Sequence, residues 1–258
     1  MPPEKDWRAP PDEAGDDALQ YSDIAMGYLS RNARYQADYS RALSRVKRGA
    51  ITADQATAAL VRRWGISFHA AASSAYDRKL AVARPDLSPA SIVLAPALPG
   101  IGAESAFDMR ALGVVRARMK IGDLLHLILA DSSGDEHLWI WGSPNQPMVM
   151  MLPIGADAFI RLASAERLCR RLNGIATGPP ALRPPPFRRR HLLTLLQVLD
   201  GQRAGASRRQ LAAALIGEIG DYSAAEWADS RERKRINRWI AEAVELRDGG
   251  YIRLLRGG

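Results

Sequence analysis

The apolar residues of this chain change their spacing twice, and each change falls at a proline-rich break. From Ser22 to Trp64 they recur every three or four residues. From Leu112 to Ile154 they come instead as four short runs parted by turn residues, and beyond the prolines of 178–186 the three-and-four spacing returns. Spacing near 3.6 buries one face of a helix, whereas short apolar runs bounded by turns suit strands. A chain written this way is confined to an α+β architecture of helices, then a small sheet, then helices.

Within the first stretch, Ile24, Tyr28, Tyr35, Tyr39, Ala42 and Val46 fall within about 60° of one another on a helical wheel, which predicts one long helix from Ser22 to Arg48. Thr52 and Gln55 have capping-box spacing, and Ala56, Leu60 and Trp64 follow at intervals of four before Gly65, so a second helix packs back on the first. Residues 88–102 hold prolines and glycines around an apolar SIVLAPAL run and read as a linker with a short strand. The runs Val114–Met119, Leu124–Ala130, His137–Trp141 and Pro147–Leu152 predict an antiparallel meander, with a helix after it from Ala156 to Leu172.

Three helices are expected in the last stretch. Leu192, Leu195, Leu196 and Leu199 mark the first, from Arg188 to Asp200. Ser207 and Gln210 cap a short second one closed by Gly217, and a cap at 229–232 opens a longer third one running to Glu245, before a strand-like YIRLL end. The net charge of +8 is concentrated there: residues 181–258 hold 15 Lys and Arg against 9 Asp and Glu, a surplus of six. That surplus points to a polyanion as partner.

On the third helix Arg231, Lys234, Arg235 and Arg238 share one side, while Ile236, Ile240, Ala243 and Val244 share the other. A short helix followed by a longer one with cations in its first turns is the arrangement by which a helix-turn-helix reads the major groove, and Arg208 and Arg209 on the short helix would assist. A solvated, salt-bridged face is the competing reading. The connection from Glu218 to Ala228 is longer than the usual three or four residues. Arg188, Arg189 and Arg190 stand at a helix start, where cations oppose the dipole, so a phosphate or an acidic partner nearby would relieve them, with a solvated basic turn as the competing reading. Arg34, Arg41, Arg45 and Arg48 form a second basic flank, read as solvated or subunit-contacting.

Catalytic chemistry finds little support. His69, His126, His137 and His191 are scattered, and the chain has neither metal-ligand spacing nor a glycine-rich phosphate loop nor a nucleophile elbow. Asp131, Asp135, Glu136 and His137 cluster on a Ser-Gly turn, where a hairpin tip explains them. Gly100 and Gly102 are too short a glycine match for a nucleotide site. Cys169 is the single cysteine, which excludes an internal disulfide. With no apolar run of membrane-spanning length and an acidic, Pro-rich first seventeen residues instead of a signal sequence, a cytoplasmic, non-enzymatic protein without cofactor or metal is expected.

Several strings resemble the RovC-like family of bacterial regulators, named for activators of type VI secretion genes and similar to regulators of excision of integrative conjugative elements. They are RRRHLLTLLQVLDGQRAGASRRQLAAALIG, the element from Trp227 to Ser230, RERKRINRWIAEAVEL, and Gly249 to Leu255. Upstream, HLWIWGSPNQPMVMMLPIGADAFIRLASAERLCRRL resembles the family's meander and helix, and Asp6-Trp7-Arg8, Tyr28 to Asn32, Tyr35, Tyr39, Arg63 to Gly65 and Arg84 to Pro89 resemble its N-terminal module. Ala83, in place of an aromatic, and Ser30, in place of a basic residue, depart from the pattern.

The resulting expectation has three parts: an N-terminal helical domain for regulation or assembly over 1–100, a β meander plus helix over 101–180, and a helix-turn-helix-like DNA-binding domain over 181–258. The resemblance implies an activator of type VI secretion or mobile-element genes, bound to double-stranded promoter DNA. Its further partners would be copies of itself in a homo-oligomer, with a hexameric ring as the implied form, and RNA polymerase or another regulator. The alternative is an antiactivator-type interaction module that binds another regulator without reading DNA.

Overall fold

The computed structural model describes residues 6–9, 19–70, 80–100, 106–217 and 219–258. Most of the acidic first seventeen residues, Gly102 and Glu218 lie outside the described residues.

The single long helix expected from Ser22 to Arg48 is two helices, α1 (Tyr21–Leu29) and α2 (Ala33–Lys47). Asn32 divides them. Its backbone is extended (φ −78°, ψ 120°), and its side-chain oxygen accepts from the N–H groups of Arg34 and Tyr35, replacing the carbonyls a continuous helix would have offered. The apolar stripe keeps its phase across this break, which is why periodicity alone runs the two together. α3 (Ala53–Trp64) begins and ends where expected. Thr52 Oγ1 accepts from Gln55 N at 3.1 Å while Gln55 Oε1 accepts from Thr52 N at 2.9 Å, and Gly65 closes the helix in the left-handed region at φ +77°.

Two short strands, β1 (Ile66–Phe68) and β2 (Ala81–Ala83), form an antiparallel ribbon beneath α2 and α3. A five-stranded sheet follows: β3 (Ile92–Pro96), β4 (Val115–Ile121), β5 (Leu124–Leu129), β6 (Glu136–Trp141) and β7 (Met148–Met151), in the spatial order β4-β5-β6-β3-β7. β4, β5 and β6 are the antiparallel meander read from the sequence, but β7 does not pair with β6. The strand from the SIVLAPAL linker lies between them, parallel to β6 and antiparallel to β7. That linker strand is buried on both sides, so it is part of the sheet's core.

One face of the sheet carries Leu94, Leu127, Leu138 and Ile140 against Leu168 of α4 (Ala158–Leu172) and Leu112 of a 3₁₀ turn. The other face sets Met119 and Trp139 against Val61 of α3 and Val82 of β2. Arg167 and Arg171 of α4 reach the β5–β6 turn, where they pair with Asp131 and Glu136 at 2.6–3.2 Å. The acidic cluster read as a hairpin tip is therefore the clasp between sheet and helix.

The C-terminal stretch contains α5 (Pro186–Arg203), α6 (Arg208–Leu215), α7 (Ala224–Asp229), α8 (Arg231–Glu245) and, after a π turn over Leu246–Gly250, α9 (Tyr251–Leu254). The YIRLL end expected as a strand is thus helical, because Tyr251, Leu254 and Leu255 all turn into one core and Tyr251 Oη donates to the Trp64 carbonyl at 2.8 Å. This core joins the two ends of the chain. α1 is buried on nearly every side, between the ribbon, α5 and α9, with Ile24, Met26, Tyr28 and Leu29 fully enclosed. Each such aliphatic side chain contributes about 1.5–3 kcal/mol. Gly27 lets α5 approach closely: a β-carbon there would stand 3.1 Å from Leu196 Cδ1.

Candidate nucleic-acid interface

α8 is built from two opposed faces. Ile236 and Ala243 are buried against α5 and α6, while Arg231, Lys234, Arg235 and Arg238 are all at least partly open to solvent on the other side. None of these four cations forms an ion pair with a described carboxylate. Arg235 instead lies over the ring of Trp239, one turn later, with its guanidinium carbon 4.6 Å from the centroid, which holds the planar group in place without neutralising it. A solvated, salt-bridged stripe would have carboxylates interleaved with the cations. Glu232 is the acid nearest in sequence, and it accepts a hydrogen bond from Tyr222 Oη at 3.2 Å. The same carboxylate raises the Tyr222 phenol above its ordinary value.

The first turn of α8 is capped by Ser230, whose Oγ accepts from Arg233 N and donates to the Trp227 carbonyl. The preceding segment explains the overlong connection. It contains α7, which opens on a reciprocal cap between Ser223 and Glu226, and those bonds hold the Glu226 carboxyl below its ordinary value. The insertion is fastened to α6: Arg209 Nη2 donates to the Tyr222 carbonyl at 2.7 Å, and its guanidinium sits 5.8 Å from the centre of the Trp227 ring. Arg208 Nε donates to Asn237 Oδ1 at 2.8 Å, tying α6 to the open side of α8.

The remaining cations separate. Arg190 is exposed or nearly so, and Arg188 approaches Glu242 of α8 at 3.7 Å. Arg189, the middle residue of the basic run, is buried at 8% exposure, with Nη1 3.5 Å from the Pro184 carbonyl. In the second basic flank, Arg41 pairs with Asp38, which also takes Arg63 at 3.1 Å and the Trp64 indole N–H at 3.1 Å.

Sequence reasoning misses two features. His126 and His137, scattered along the chain, stand side by side on β5 and β6, with Nε2 and Nδ1 3.3 Å apart. Burial pushes both imidazoles down, His137 to about 4. Strand register brings together residues eleven apart, so only pairing of β5 with β6 could reveal the contact. The described residues contain no group of three metal-ligating side chains. The second feature is Trp7, which is buried in the same small core as Leu211 of α6 and Ile236 of α8 although it stands at the far end of the chain. No helix among the described residues is long and apolar enough to cross a membrane.

Three family models match the chain. Residues 151–256 match the DNA-binding domain of type VI secretion system transcription factors, residues 6–69 match a proteobacterial transcriptional regulator-like domain, and residues 90–150 match a domain of unknown function. No curated protein and no solved structure matches the chain. The cation-bearing α8 and its supports α5, α6 and α7 all fall within the DNA-binding match. With a regulator-like match at one end and this DNA-binding match at the other, the comparisons indicate a DNA-binding transcriptional regulator and support a likeness to the RovC-like regulators.

Proposed function

We propose that α8 enters the major groove of promoter DNA and that α5, α6 and α8 act as a helix-turn-helix-like unit with α7 inserted in its turn. The observation that carries this reading is the set of Arg231, Lys234, Arg235 and Arg238, without carboxylate partners among the described residues, on the open face of a helix whose other face is packed. Cations in the first two turns of such a helix reach phosphates and guanine edges. Arg208 supports them, Arg190 adds a backbone contact from the start of α5, and Arg209 acts by bracing the insertion. In this reading the chain is a sequence-specific cytoplasmic activator of type VI secretion or mobile-element genes, without enzymatic activity. Residues 1–100 regulate or assemble a homo-oligomer, 101–180 form the β meander and its helix, and 181–258 read DNA.

Genome-wide DNA pull-down with the wild type beside a folded variant carrying alanine at 231, 234, 235 and 238 tests it. Discrete promoter peaks that vanish in the variant are the expected result, with the neighbouring genes naming the pathway. Absence of peaks for the wild type would replace this reading with that of a module binding another regulator.

A further inference from the structure

The core beneath the proposed reading helix is not supplied by the DNA-binding segment alone. Among the described residues, three of this segment are fully enclosed there, Leu211 and Ala212 of α6 and Ile236 of α8, and the fourth buried member is Trp7, from the far end of the chain. Trp7 is 6% exposed although its neighbours Asp6 and Arg8 are exposed. Its ring lies against the backbone of α5 at Gly201, where a β-carbon would come within 3.1 Å of the indole and 2.5 Å of Leu211 Cδ2. The segment's backbone is held as well: Gln197 Nε2 of α5 donates to the carbonyls of Trp7 at 3.1 Å and Ala9 at 2.7 Å. Arg8 covers the outer side of the indole at 4.4 Å.

An indole buries roughly 150–250 Å², more than any aliphatic side chain in this small cluster can replace. Ile236 packs on the face of α8 opposite Arg235 and Arg238, so what seats Ile236 also sets the position of the helix that carries both cations. The contact also joins two separate family matches, since Trp7 falls in the regulator-like one and its socket in the DNA-binding one.

We propose that Trp7 is a positioning residue for DNA binding: seated between α5, α6 and α8, it sets the placement of the reading helix without touching DNA, and so makes affinity depend on the docking of the N-terminal segment. This inference rests on the proposed meeting of α8 with DNA. A region held by few apolar contacts opens locally at low cost, so loss of the indole should loosen α6 and α8 and leave the larger core of α1, α5 and α9 intact.

The test uses the full chain and duplexes that the wild type enriches from a random-sequence library. Trp7→Ala should weaken binding about 2- to 30-fold, Trp7→Phe less, and added indole should restore part of the affinity of Trp7→Ala by refilling the cavity. Hydrogen exchange without DNA should rise in α6 and α8 and stay unchanged in α1. Gln197→Ala, which frees the segment's backbone and leaves the core filled, covers the case in which alanine at position 7 unfolds the chain, and it should weaken binding in the same direction. Wild-type affinity in Trp7→Ala, or in Gln197→Ala where Trp7→Ala does not fold, would overturn the inference. If the wild type enriches no duplex, the DNA reading itself fails and this inference falls with it.

Discussion

Arg31, in the turn between α1 and α2, and Asp200 of α5 meet as a two-pronged ion pair, Nε to Oδ1 at 2.7 Å and Nη2 to Oδ2 at 2.5 Å. The pair joins the regulator-like segment to the DNA-binding segment, and Arg31 Nη1 also donates to the Gly27 carbonyl at 2.7 Å. With side chains 21% and 28% exposed, it keeps more of its strength than a surface pair would. Asp200→Ala should lower stability by about 1–2 kcal/mol. A double-mutant cycle with Arg31→Ala in urea should return a favourable coupling, and additivity of the two changes would show that the pair contributes nothing.

Gly65 and Gly49 both sit in the left-handed region, at φ +77° and +72°, but in different surroundings. A β-carbon at Gly65 would lie 2.6 Å from Leu87 Cδ1 and 2.9 Å from Ile252 Cδ1, whereas at Gly49 nothing stands within 4 Å. Gly49→Ala should cost about 1 kcal/mol for the backbone alone, and Gly65→Ala about 1–2 kcal/mol more for the repacking of α9 against α3. Equal melting temperatures for the two variants would remove the steric difference between the sites.

Acid should act through the paired histidines. Burial favours the neutral form of His126 and His137 in the folded chain, while the unfolded chain takes up protons near the ordinary value of 6.5. The unfolded state therefore binds more protons as pH falls, so stability is complete above about 6.5 and is lost progressively toward about 4, where His137 protonates in place. Urea midpoints at pH 7.5 and 5 should differ for the wild type, and His137→Gln should flatten that difference. An unchanged slope in the variant would assign the acid sensitivity to other groups.

The two sets of arginines should separate in salt titrations. If Arg231, Lys234 and Arg238 meet phosphates, each alanine substitution should lower the slope of log affinity against log salt by about 0.9. Arg235→Lys keeps the charge but loses the planar stack on Trp239, so it should weaken binding with little change of slope. Arg189→Ala, by contrast, should lower the melting temperature and leave the slope alone, because that side chain is inside. A slope change at Arg189 as large as at Lys234 would contradict its interior position.

The sequence by itself determined what local chemistry can determine. The caps at Thr52 and Ser207, the left-handed stop at Gly65, the β4-β5-β6 meander and the opposed faces of α8 all depend on residues close together in the chain, whose spacing is visible along it. The tertiary structure decided everything that joins distant residues: the SIVLAPAL strand between β6 and β7, the His126–His137 contact, the inward turn of Arg189, the helical form of the last residues, and the seat of Trp7. The division has a physical cause. A cap or an amphipathic face is selected by bonds within a few residues, but a side chain's burial depends on which distant surface closes over it, and a periodic pattern does not name its partner.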